Sequence, residues 1–286
     1  MRLNQTTREN PKIIRKNIRE MNQKEYQAAF RTLFSKDLNQ EKLLSILNEE
    51  LRPVVGSIPK KLYRYRTFSE YSMREILLQN VFLAKPSSFD DRFDSQYIYL
   101  DSPEIPHLKS EEELAREKAI DLYTDELNAF FHDVLKISCF TTDCCNVPMW
   151  YYYANQHKGM CLEYDLTNLP AFDKVGFCFL PVIYPDKKDE HLFRKLGRKI
   201  NSDAVCNALI KNKDWAFEKE WRMIRISDRK EKEYSSVKIR KVIMGCDSSP
   251  ESIALLADMI KKNGLDIKMS VMKITTKGMQ ELPITL

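Results

Sequence analysis

Glycine is scarce in this chain, seven residues in 286, and none belongs to a G-x-G-x-x-G turn or a P-loop. That absence excludes a Rossmann-type dehydrogenase and a P-loop nucleoside triphosphatase, which need glycine where backbone closes on phosphate. No run approaches the roughly eighteen apolar residues of a membrane-crossing helix. The opening stretch MRLNQTTRENPKIIRKNIRE has no apolar centre and is not expected to act as a secretory signal. Cysteine occurs seven times, never as Cys-x-x-Cys. An odd, irregular set predicts a reducing, cytoplasmic setting rather than a disulfide framework. Cys139, Cys144, Cys145, His157 and Cys161 crowd together but lack zinc-ligand spacing.

What is present describes an ordinary globule: 43% hydrophobic, 30% charged and 10% aromatic residues. The net charge of +5 is unevenly placed. Residues 1–24 hold seven of the 46 basic residues and two of the 41 acidic ones, so the remainder carries 39 of each. This basic arm is the expected point of contact with nucleic acid or an acidic partner, and a solvated amphipathic helix is its plainer reading.

Residues 12–51 read as two helices, and RPVVGSIPK breaks them. The expected organisation is a helical N-terminal extension over 1–56 and an α+β domain of catalytic type over 57–286. LYRYRTF reads as a strand with Tyr63 and Tyr65 on one face and Arg64 and Arg66 on the other. A helix over about 69–79, a short strand VFLAKP and the turn-rich loop SSFDDRFDS follow. Ser110 with Glu113 opens a helix running to about Val134. LKISCFTTD, MCLEYDL and VGFCFLPVIYP read as strands, and VPMWYYYANQHKG as a short helix stopped at Gly159. A helix over about 188–212 leads into the strand KDWAFEKEWRMI. VKIRKVIMG, a Ser249-capped helix to Asn263 and DIKMSVMKITT form a strand–helix–strand unit.

If KDWAFEKEWRMI is a strand, Glu218, Glu220 and Arg222 share one face. They are either solvated, with Arg222 relieving the repulsion, or they line a cleft. Asp90, Asp91 and Asp94 read as a turn cluster first and a ligand loop second. Arginines on one strand, Ser138, Thr141 and Thr142 on another, and paired glutamates on a third suit cleavage of the nicotinamide–ribose bond of NAD. A carboxylate under the ribose stabilises the developing cation, an arginine binds the diphosphate, and a hydroxyl fixes the nicotinamide side. The adjacent tyrosines, Tyr152 among them, offer a ring for stacking. Two rivals stand beside this reading. One is a Mg²⁺-dependent nuclease built on Glu163, Asp165, Glu218 and Glu220; the other is a non-catalytic partner-binding module.

The order of arginine strand, Ser/Thr-rich strand and Glu-x-Glu strand resembles the ADP-ribosyltransferase superfamily of the arginine–serine–glutamate type. The resemblance implies that Arg64 or Arg66 matches the first-strand arginine and Ser138 or Thr141 the second-motif hydroxyl. Glu220 would match the catalytic glutamate, and Glu218 the upstream glutamate that orients the acceptor. It implies NAD as substrate, a protein, nucleic acid or water as acceptor, and an effector or toxin role in bacterial antiviral defence. LYRYR, FLAKPSSFDDRFD, ISCFT, MWYYYANQHKGMCLEYD and FEKEWR together also resemble a bacterial family known as domain of unknown function 2971, over about residues 60–245. That family usually has Asn-Asp-Pro where this chain has Asp90, Asp91 and Arg92. The expected architecture is a mixed α+β domain on a split, curved β-sheet core of the ADP-ribosyltransferase-like kind, with an α-helical N-terminal extension.

Overall fold

A computed structural model describes residues 59–91, 93–95, 110–167, 177–186, 204–205 and 207–284. All lie in the second of the two units into which the chain divides, Pro59–Leu286. The expected helical extension and basic arm lie outside the described residues, as do Arg92 and most of the helix expected over 188–212.

The fold is mixed α+β with one large, mostly antiparallel sheet. Strand β1 is Lys61–Arg66, followed by helix α1 (Glu70–Leu78) and β2 (Asn80–Leu83). Helix α2 (Glu111–Val134) leads into β3 (Leu135–Thr141), and α3 (Val147–Tyr153) into β4 (Met160–Asp165). Then come β5 (Phe177–Pro181), β6 (Glu220–Ile226), β7 (Glu233–Ser236) and β8 (Lys238–Met244). Helix α4 (Pro250–Lys262), β9 (Lys268–Thr275) and β10 (Gly278–Ile284) complete the described order.

The helix starts follow from their caps. Ser110 accepts from the Glu113 amide while Glu113 accepts from the Ser110 amide, and three glutamates sit in the positive first turn of α2. Ser69 and Ser72 close a similar box on α1. Asn146 caps α3, and Ser249 followed by Pro250 starts α4.

The sheet runs β10-β9-β8-β4-β1-β3-β6-β5, and β2 pairs with β7 in a separate ribbon. Among the described strands only β8 and β9 pair in parallel, and α4 makes the crossover that a parallel pair requires. Alternation along β1 sends Tyr63 and Tyr65 into a core with Met149, Trp150, Cys161 and Ile243. Arg64 and Arg66 point to the reverse face, where Glu75 of α1 meets them at 3.0 and 2.9 Å.

The sheet is divided in its middle. β1 and β3 pair at one position, Tyr63 with Thr141, whereas β1 pairs with β4 over its whole length. Farther along, β3 turns its edge to Ala84, whose amide and carbonyl both bond Ile137. The chain after β2 therefore enters the gap between β1 and β3, and a cavity opens there.

Two expectations need correcting. The stretch KDWAFEKEWRMI is not one strand: Lys213–Glu218 is a 3-10 turn, Lys219 is left-handed at φ 46°, and β6 starts at Glu220. Helix α3 ends at Tyr153 rather than running to Gly159, because Asn155, Gln156 and His157 all take positive φ. His157 therefore sits in a turn. Strands β7 and β10 carry too little apolar alternation to stand out in sequence.

Two glycines make that turn possible. A Cβ on Gly245 would lie 1.9 Å from the His157 carbonyl oxygen, and one on Gly159 would lie 2.3 Å from that of Arg66. Gly264 has φ +60° but open space around it. Gly264→Ala should therefore cost only the left-handed backbone penalty, about 1–2 kcal/mol. Gly245→Ala must displace backbone and should cost about 3 kcal/mol or more. Thermal unfolding of the two variants should rank them in that order, and equal melting points would contradict the close approach.

Candidate functional site

The cavity between β1 and β3 has a volume of about 240 Å³. Tyr63 to Arg66 border it from β1 and Cys139 to Thr141 from β3. Met149 and Tyr153 of α3, the loop Ser88–Asp91 with Asp94, and Lys211, Trp215, Glu218 and Glu220 complete the lining. Glu218 and Glu220 are buried at 3% and 4% exposure, so they are not a solvated edge. Register places Glu220 opposite Thr141 and Arg222 opposite Cys139, on the same side of the sheet as Tyr63.

Arg222 organises the acidic side. It is fully buried and donates Nη1 and Nη2 to Asp94 Oδ1 and Oδ2 at 2.7 and 2.5 Å. Its Nε donates to Glu220 Oε1 at 2.8 Å, and Nη1 also reaches the Ala208 carbonyl at 2.7 Å. The guanidinium lies over the Phe89 ring at 5.7 Å. Lys211 Nζ donates to Glu218 at 2.5 Å and to Glu220 at 3.2 Å. Tyr153 Oη donates to Glu218 Oε1 at 2.6 Å.

These contacts separate two carboxylates only two residues apart. Burial disfavours charge on Glu220, but Arg222 and then Lys211 outweigh it and hold the carboxyl down at about 2. Burial also raises Glu218, and the charge on Glu220 adds to that against the pull of Lys211, pushing it up to about 7. Burial would lower Lys211, yet Glu220, Asp94 and Glu218 together keep it protonated. Burial and the neighbouring Glu218 raise Tyr153, which stays a donor. The arrangement provides one fixed anion and one carboxyl that exchanges a proton near neutrality. Cys139 beside it is a neutral thiol, its ionisation pushed up by burial and by Glu220.

The expected site residues divide accordingly. Thr141, Glu218 and Glu220 meet at the cavity. Arg64 and Arg66 border it, but their guanidinium groups are on the reverse face with Glu75, which Tyr164 also contacts. Ser138 does not line it: one residue out of phase with Thr141's face, it is buried opposite Met223. Tyr152 is 64% exposed and packs edge-on against Tyr151; the ring that enters is its neighbour Tyr153. Glu163 bonds Lys61 and Tyr63 and Asp165 bonds Arg240. The four carboxylates of the nuclease reading are therefore not gathered. Among the described residues no cluster of three His, Cys, Asp or Glu is arranged to hold a metal ion, and no helix is long and apolar enough to cross a membrane.

Lys211 carries no signal as a site residue in the sequence, and Asp94 reads first as part of a turn cluster and only second as a ligand. The available signal was Arg222 itself, a charge inside the apolar run EWRMIRI, which demands buried acids.

Among known families, the model of a "Protein of unknown function (DUF2971)" matches residues 149–223. That span runs from α3 into β6 and contains Tyr153, Lys211, Glu218, Glu220 and Arg222. No curated protein and no solved structure matches the chain.

The ionisation pattern has a direct consequence for stability. Glu218 keeps its proton in the fold where the unfolded chain, near 4.5, releases it. Its contribution is complete below about pH 4.5 and is lost as pH rises through about 7. Glu220 acts in the opposite sense, losing its contribution as pH falls from 4.5 towards 2. Melting temperature should therefore fall between pH 5.5 and 8, and Glu218→Gln should flatten that slope; an unaltered slope would place the titration elsewhere. Arg222→Ala strands Asp94 and Glu220 and should cost about 3–5 kcal/mol. Arg222→Lys should recover only part, because an ammonium cannot reproduce the fork.

Proposed function

We propose that the cavity cleaves the nicotinamide–ribose bond of NAD and passes the ADP-ribosyl group to an acceptor or to water. The observation that carries this reading is the charge balance of the buried wall. Asp94, Glu218 and Glu220 face Lys211 and Arg222, one negative charge in excess when Glu218 is ionised. Such a wall favours a cationic ligand and a transition state that gathers positive charge. The nicotinamide ring of NAD is a cationic aromatic ring, and Tyr153, Trp215 and Phe89 supply aromatic surface. A volume of about 240 Å³ is below the range of roughly 300–1,000 Å³ that encloses a whole ligand, so only the nicotinamide end enters.

In this mechanism the ribose C1′–N bond breaks with its electron pair leaving on the ring, which becomes neutral nicotinamide. Glu220, fixed as an anion, stabilises the ribosyl cation. Thr141 orients the carboxamide side, and the diphosphate stays outside the cavity, since both β1 arginines turn to Glu75 on the reverse face. The acceptor oxygen or nitrogen bonds C1′ and its proton goes to ionised Glu218, which Tyr153 and Lys211 hold in place. The pairing of Glu220 with Arg222 means that Glu220→Gln disturbs both charge and packing. Glu218→Gln is the cleaner probe, because the amide imitates the protonated acid.

Incubation with NAD should release nicotinamide, with turnover rising as pH passes about 7. Glu218→Gln should lower turnover on the order of a hundredfold, the scale of a lost general base, with its melting temperature at pH 6 retained. Intact NAD after incubation, or full turnover by Glu218→Gln, would overturn the mechanism.

A further inference from the structure

A second and larger cavity, about 380 Å³, lies between α1, the end of β1 and the β2–β7 ribbon. Its lining differs in character from the first. Arg66, Arg74 and Lys232 supply three cations, and Tyr71, Phe82 and Tyr234 supply aromatic surface. The one carboxylate, Glu75, is already committed to Arg64 and Arg66. Arg74 and Lys232 are exposed and make no ion pair among the described residues. Arg66 borders both cavities, and its buried Nε has no hydrogen-bond partner. Burial and the adjacent Arg64 make its charge costly, a cost that a bound anion would offset.

Two of the rings are open to a ligand. Tyr71 is 73% exposed and Tyr234 40%. Tyr234 is fixed by its cross-strand partner Phe82, the ring centres 5.5 Å apart. Tyr71 and Arg74 are three residues apart on α1 and so share a face. Exposed aromatic rings beside unpaired cations recognise a ligand that is both anionic and flat.

We propose that this second cavity binds a nucleotide, its phosphate held by Arg74, Lys232 and Arg66 and its base stacked on Tyr71 or Tyr234. Simple anions would use the cations and leave the rings idle, whereas a nucleotide uses both. The volume falls within the range of ligand-enclosing pockets, roughly 300–1,000 Å³. The site does not depend on the chemistry proposed for the carboxylate cavity. A free mononucleotide and one residue of an RNA strand present the same recognition chemistry.

The test is calorimetric titration of the full chain with AMP, with inorganic phosphate and with a short oligouridylate. AMP should bind more tightly than phosphate. The double variant Arg74→Ala/Lys232→Ala should weaken AMP at least tenfold, since it removes two charge-assisted contacts to the phosphate. Tyr71→Ala should weaken AMP but leave phosphate unchanged. Both variants alter exposed side chains, so melting temperature should hold and confirm folding. Oligouridylate tighter than AMP would identify a strand as the natural source, and equal affinity a free nucleotide. Absence of AMP binding, equal affinity for AMP and phosphate, or AMP binding lost in Glu218→Gln but intact in the double variant would overturn the proposal.

Discussion

The structure depends on one buried guanidinium. Arg222 sits in the middle of a sheet strand with no solvent access, so each of its donors must find an acceptor inside the protein. It finds them on separate pieces of chain: Asp94 from the loop after β2, Glu220 two residues before it on β6, and the Ala208 carbonyl. No hydrophobic contact would specify those positions so narrowly, because apolar packing tolerates exchange of partners whereas a bidentate fork does not. The guanidinium thus selects where the loop lies. The loop in turn provides Asp94 and the Phe89 ring to the cavity.

From that constraint the ionisation of the site follows. Two glutamates so near each other in a dry environment cannot both keep ordinary behaviour. Glu220 receives most of the positive charge and is locked as an anion. Glu218, beyond the left-handed Lys219 and at the end of a 3-10 turn, receives Lys211 and the Tyr153 hydroxyl. The backbone reversal between them is what allows unlike surroundings, since a continuous strand would have set them side by side. Lys219 itself points away to Asp143 at 2.9 Å.

How far this was legible depended on the physical scale of each feature. Capping patterns at Ser110 and Ser249 and alternation in LYRYR are local, and the helices and strands they announce are present. The paired glutamates line the cavity from a 3-10 turn and the start of a strand, not from one continuous strand. The αL turn at Lys219 has no glycine or asparagine to signal it. Ser138 and Tyr152 failed for a shared reason: each is one residue from a lining side chain, and one residue reverses direction on a strand or rotates it about 100° on a helix. Lys211 and Asp94 are separated from Arg222 by 11 and 128 residues, and only tertiary structure brings them together.

The order of the sheet also bears on how the molecule meets its own copies. Its outermost described strands are β10 and β5, and an outer strand is a template on which another chain can add. Each carries a proline, Pro283 in β10 and Pro181 at the end of β5, and a proline offers no N–H to a newcomer. In β10 the charge of Glu281 stands two residues away, held by Lys241 at 2.8 Å. The gap at the centre, which would be a third exposed edge, is occupied by Ala84. A sheet opened to make room for a site is thereby kept from becoming a seed for fibrous growth.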